Sequence, residues 1–93
     1  MNRELIRTTR FIRTMRRYLK KHRDSEPELR EALELLSADA FDPRLKTHKL
    51  AGELKDIWAC SAGYDLRILF EFVQRGDAEA ILLLTMGTHD EVY

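Results

Sequence analysis

Asp65-Leu66-Arg67-Ile68-Leu69-Phe70-Glu71-Phe72, followed by Arg75-Gly76-Asp77 and Ala80-Ile81-Leu82-Leu83-Leu84, decides the fold class. In the first run Leu66, Ile68, Phe70 and Phe72 alternate with Asp65, Arg67, Leu69 and Glu71, the period of a half-buried strand. Arg75-Gly76-Asp77 supplies a turn. Ala80 to Leu84 is apolar on both faces, as a central strand must be. Upstream, Leu54 to Ser61 reads as one more strand, and Gly87 as the end of the last one. If Leu66, Ile68 and Phe70 face a covering layer, Asp65 and Arg67 project from the opposite, uncovered face.

Ahead of residue 50 the period is helical. Residues 3–7 (RELIR) read as a short edge strand, with helix as the alternative. From Thr8 or Thr9 as N-cap, Phe11, Met15, Tyr18 and Leu19 recur at helical spacing, ending near His22. Ser25-Glu26-Pro27-Glu28 predicts a second start. Ser25 is placed to cap, Glu28 completes a capping box, and Pro27 in the first turn loses no needed bond. Leu29, Ala32, Leu33 and Leu36 form its apolar face, and Asp42-Pro43 closes it. The expected architecture is α+β, a single domain over 1–93. An N-terminal helical hairpin covers one face of a small, mostly antiparallel β-sheet, and a short polar tail follows.

Ninety-three residues suffice for one domain, and 44% hydrophobic with 34% charged residues is ordinary for a globular chain. Nothing approaches the roughly 20 apolar residues of a membrane span, and no secretory h-region is visible. The single cysteine, Cys60, excludes an internal disulfide, fits a reducing cytoplasm and reads as a small buried hydrophobe.

The net charge of zero conceals a segregation. Residues 1–23 hold nine basic side chains against Glu4 alone, a balance of +8; the other seven basic and fifteen acidic residues leave −8 on the remainder. Charge alone fits a polyanion-binding surface as well as a solvated face paired with the acidic remainder.

Candidate chemistry is sparse. His22 ends a basic helix and reads as a surface cation. His48, in the loop Lys46-Thr47-His48-Lys49, and His89, just after the last strand, lie where a scaffold positions reactive groups. Arg67 on the open face suits a phosphate, with a surface ion pair to Asp65 as the alternative. No phosphate-cradling glycine loop and no close metal-ligand spacing occurs, so neither cofactor nor metal is expected.

Several stretches together resemble a RelE-type toxin of a bacterial type II toxin–antitoxin pair, in the RelE/ParE superfamily. They are His48-Lys49-Leu50 with Gly52, Trp58-Ala59-Cys60, Tyr64-Asp65-Leu66-Arg67-Ile68 and Gly87-Thr88-His89-Asp90-Glu91-Val92-Tyr93. The Phe11 helix and the Asp42-Pro43 break agree more loosely, and the tail is most similar to the YafQ-like branch. The resemblance implies a ribosome-dependent mRNA endonuclease, metal-free, in which the RNA 2′-hydroxyl attacks the adjacent phosphate. On that pattern His48 and Asp65 do acid–base or positioning work and Arg67 contacts phosphate. His89 protonates the leaving 5′-oxygen, and Tyr93 stacks on or orients the substrate. Arg10, Arg13, Arg16, Arg17, Lys20, Lys21, Lys46 and Lys49 would grip RNA or the ribosome. The implied partners are a cognate antitoxin, the ribosome and mRNA, with operator DNA reached only through the antitoxin complex. Ser61 departs from the pattern, standing where some members carry a basic residue or histidine. Either the other groups suffice or activity is lower. A ParE-like gyrase inhibitor, or an inactive binding relic, is the alternative, and His89 favours RNA cleavage.

Overall fold

The computed structural model describes residues 2–52 and 56–93. Its elements run β1 (Leu5–Arg7), α1 (Thr9–Lys21), α2 (Glu26–Ala38), β2 (His48–Lys49), β3 (Trp58–Ser61), β4 (Leu66–Arg75), β5 (Ala78–Thr88) and α3 (His89–Val92). The five strands form one sheet in the order β1-β5-β4-β3-β2. Only β1 and β5 pair in parallel; the other neighbours are antiparallel. The core lies between α1, α2 and one sheet face, where Phe11, Leu29, Leu36, Ile68, Phe70, Ile81 and Leu83 are buried together. The expected α+β layering therefore holds. Among the described residues no helix is long and apolar enough to cross a membrane.

Alternation in β4 is as expected: Leu66, Ile68 and Phe70 enter the core, and Gly76 takes φ +63° in a two-residue turn that returns the chain antiparallel. A bulge shifts the register of β5. Leu69 opposes Thr85 but Phe70 opposes Leu83, leaving Leu84 as the extra residue. The parity of β5 flips there, so Leu83 and Met86 both enter the core. Thr85 and Gly87 turn to the open face with their partners Leu69 and Arg67.

Several local expectations need correction. The second helix starts at Glu26, but Ser25 is αR, the last residue of a 3₁₀ turn over Arg23–Ser25, and makes no side-chain cap. A cap needs extended backbone to bring its oxygen onto the first turn. That helix also ends at Ala38, before Asp42-Pro43; Asp42 instead caps a 3₁₀ turn over Pro43–Leu45 by accepting from Arg44 N–H. His48-Lys49, expected as loop, is an edge strand paired with β3. Gly87 does not end β5, which runs on through Thr88. The third strand covers Trp58–Ser61; the expected start at Leu54 lies outside the described residues.

Candidate active site

Three strand registers and one helical turn build the site on the open face. Directly opposed residues share a face. The pairs Ser61–Arg67 and Arg67–Gly87 put these three in one row across β3, β4 and β5. The pairs His48–Ala59, Ala59–Leu69 and Leu69–Thr85 put His48 in the next row, at the sheet edge. Beyond Thr88 the chain turns back as α3. The His89 N–H donates to Asp65, with the backbone carbonyl at 3.2 Å and Oδ1 at 3.4 Å. Thr88 and Glu91 form a capping box, in which the Thr88 N–H donates to Glu91 Oε1 at 2.8 Å.

That turn brings Tyr93 to His48. The Tyr93 hydroxyl lies 3.3 Å from His48 Nε2, and the His89 ring stands edge-on to Tyr93 with centroids 4.6 Å apart. His48 Nδ1 is 3.0 Å from the carbonyl oxygen of Lys46. A carbonyl only accepts, so Nδ1 carries the proton; in the neutral ring Nε2 then offers its lone pair toward Tyr93. Lys46 reaches that position in a left-handed conformation, φ 51°. Partial burial pushes the Tyr93 phenol above its usual range, and the Arg67 charge pulls the other way. Both histidines are exposed, and Asp90 Oδ1 lies 3.5 Å from His89 Nδ1.

Asp65 and Arg67 are brought to the same corner in other roles than an ion pair. Asp65 holds the start of α3, while Arg67 Nη1 donates to the carbonyls of Tyr64 (3.4 Å) and Leu66 (3.1 Å). Cys60, one residue before Ser61, points into the core; burial pushes its thiol up to about 12, so it is no nucleophile at neutral pH.

The basic residues divide. Arg10, Arg13 and Arg17 line a cleft with Thr85, Glu91 and Val92, so this side of α1 flanks the turn that carries His89. Lys21 lines a neighbouring cleft with Arg17 and Glu91. Arg16 and Lys20 are exposed but line neither of these clefts. Lys46 and Lys49 are exposed beside His48, and Lys49 Nζ sits 6.0 Å from the centre of the Trp58 ring. Sequence reasoning missed Glu91 and Gly87 as builders of the site. The signal was present, since Thr88-His89-Asp90-Glu91 has the spacing of a capping box.

Two helices on one face of a five-stranded sheet, with a histidine-bearing C-terminal turn over the other, define a small toxin of the RelE/ParE type. The chain belongs to the YafQ family of bacterial toxins of type II toxin–antitoxin systems, whose family model matches residues 3–93. Solved structures share the fold. YafQ from Escherichia coli strain BL21(DE3) superposes with a TM-score of 0.79 at 16% identity, over 98% of each chain. A copper-bound mutant toxin from Helicobacter pylori gives 0.75 at 23% identity over the whole of both chains. The E. coli DinJ–YafQ toxin–antitoxin complex gives 0.76 at 15%, covering 100% of this chain and 99% of that one. No curated protein matches the chain.

Proposed function

We propose that this toxin is an endoribonuclease that cuts mRNA on the ribosome through attack of the RNA 2′-hydroxyl, in the cytoplasm, until a cognate antitoxin binds it. The observation that carries the reading is the gathering of His48, Tyr93 and His89 on one open face, with His48 Nδ1 3.0 Å from the Lys46 carbonyl oxygen and Nε2 3.3 Å from a hydroxyl.

In this reading a ribose hydroxyl enters beside the Tyr93 hydroxyl, within reach of His48 Nε2. His48 Nε2 takes the 2′-hydroxyl proton, the 2′-oxygen bonds to the adjacent phosphorus, and the bond from phosphorus to the 5′-oxygen breaks. His89 gives its proton to that leaving oxygen, so the products are a 2′,3′-cyclic phosphate and a 5′-hydroxyl. Arg67 faces the charge that builds on the phosphoryl oxygens. Asp65 acts by fixing the turn under His89, and Tyr93 orients the nucleotide. The basic side of α1, with Lys46 and Lys49, holds phosphates of the ribosome and mRNA. An antitoxin suited to this surface brings acidic and apolar segments, and any operator DNA is reached through that complex.

A translation reaction programmed with one defined mRNA tests the proposal, with new 5′ ends mapped by primer extension. The parent chain is expected to cut. His48→Ala and His89→Ala are each expected to slow cutting by about 10²–10⁴-fold, the usual weight of a general base or acid. A folded parent that makes no cuts, or cutting untouched by both substitutions, would overturn it.

A further inference from the structure

The C-terminal turn is too short to hold itself. Four helical residues fall far below the length at which a helix persists alone, so its placement must come from contacts at its ends. Asp65 takes the His89 N–H, and Glu91 supplies the contact onto Thr88 and Gly87. Glu91 Oε1 accepts the Thr88 N–H at 2.8 Å, and the Thr88 hydroxyl faces the Glu91 N–H in the reciprocal half of the box. The same side chain lies directly over Gly87. A Cβ placed there would come within 2.9 Å of Glu91 Oε1, 3.1 Å of Glu91 Cβ and 3.4 Å of Val92 Cγ1. A side chain at position 87 would push the Glu91 carboxylate off this seat and shift the turn by a few tenths of an ångström. On the far side Glu91 lines a cleft with Arg17, and the Thr88 hydrogen bond, helped by the charges of Arg17 and Lys21, holds its carboxyl below the usual range. Glu91 thus meets β5 and its own turn and faces α1 across a cleft, while the Tyr93 hydroxyl meets His48 on the other side of the turn.

We infer that Glu91, seated on the bare backbone of Gly87, is a positioning residue that fixes where His89 and Tyr93 stand relative to His48. This rests on the proposed nuclease reading for its effect on rate, but not for its effect on geometry. Removing the cap releases the turn to swing, so the histidines spend less time in register with one nucleotide while the RNA-binding surface of α1 stays in place. The penalty therefore falls on the rate of the cutting step and leaves the apparent affinity for programmed ribosomes unchanged.

The test measures two quantities on the full chain: single-turnover cutting of the defined mRNA as ribosome concentration is varied, and the nuclear Overhauser effect between the Tyr93 ring and His48 Hε1. Glu91→Ala is expected to weaken that effect and slow cutting about tenfold, with the half-saturating ribosome concentration held. Glu91→Gln should recover most of both, since its amide oxygen still accepts the Thr88 N–H. Gly87→Ala keeps Glu91 but crowds it, and should weaken the Tyr93–His48 signal as Glu91→Ala does. A parent-like signal in both Glu91→Ala and Gly87→Ala would overturn the inference, as would a Gln variant as defective as the Ala variant. If the parent does not cut at all, the nuclease reading fails while the Overhauser measurement still decides this one.

Discussion

Thr14 lies between two predicted core positions of α1, Phe11 and Met15, and is itself buried. Its Oγ1 is 3.0 Å from the carbonyl oxygens of Arg10 and Phe11, and it accepts the Met86 N–H at 3.2 Å. Opposite β5, β1 reaches only from Ile81 to Leu83, so the outer edge of β5 beyond that point has no strand beside it among the described residues. Thr14 takes the missing partner's place. Thr14→Val keeps the shape but strands a buried donor, and should cost about 1–3 kcal/mol by denaturant melting. Cys60 makes a second prediction at this scale. Its thiol, pushed up from 9.0 to about 12, keeps its proton in the folded state where the unfolded chain loses it. Stability from this group is thus complete below pH 9 and falls between pH 9 and about 12, by about 1.4 kcal/mol per pH unit at most. Cys60→Ala should differ from the parent by a constant offset below pH 9, the cost of the emptied core position, and that difference should change with pH only in the alkaline window. Burial of Cys60 was readable from its place beside Trp58 in a strand. The role of Thr14 was not, because a helical threonine says nothing of a strand 72 residues away.

Three capping sites show what local spacing carries. At Thr8 the spacing suffices: the hydroxyl accepts the Phe11 N–H at 3.1 Å and reaches the Leu83 and Leu84 carbonyl oxygens at 2.8 and 3.2 Å, tying α1 to the bulge of β5. Ser25-x-x-Glu28 and Thr88-x-x-Glu91 carry the same motif, and only the second forms the box. The difference is backbone. Thr88 leaves a strand in extended conformation (ψ 165°), whereas Ser25 is already wound into a turn (ψ −7°). Thr8→Ala should cost about 1–2 kcal/mol, but Ser25→Ala should stay within about 0.5 kcal/mol. Equal costs in denaturant melts would reverse that account. The helices, the β4–β5 hairpin and the open face were thus legible from period and turn residues. The bulge was not, since Ile81-Leu82-Leu83-Leu84 is apolar at every position and hides a flip in parity.

Over the whole molecule, the +8 segment touches the acidic remainder through the Arg3–Glu79 ion pair, but the charges of its helical part stay exposed. The basic side chains of α1 are exposed, and Arg10, Arg13 and Arg17 stand in the cleft that borders α3. In the proposed reading this rim holds the RNA beside the turn that carries His89. Charge reversal at Arg13, Arg16 and Arg17 together should weaken ribosome binding and flatten its salt dependence, by about 0.7 in slope for each phosphate no longer neutralised, with the fold intact. Arg13 and Arg17 singly should each cost more than Arg16, which is outside the cleft. Equal effects would mean that net charge acts, without this geometry. The segregation of charge was plain in the sequence. Which arginines meet the site was not, because that depends on how α1 crosses the end of β5.

In the proposed chemistry the open face uses the substrate's own 2′-hydroxyl with His48 as its base. The most direct measurement takes the mRNA at its mapped cut site and replaces that one nucleotide by its 2′-deoxy form, leaving the codon unchanged. The parent protein should then fail to cut there while still cutting control sites in the same message. Cutting at undiminished rate through the deoxy nucleotide would contradict the account.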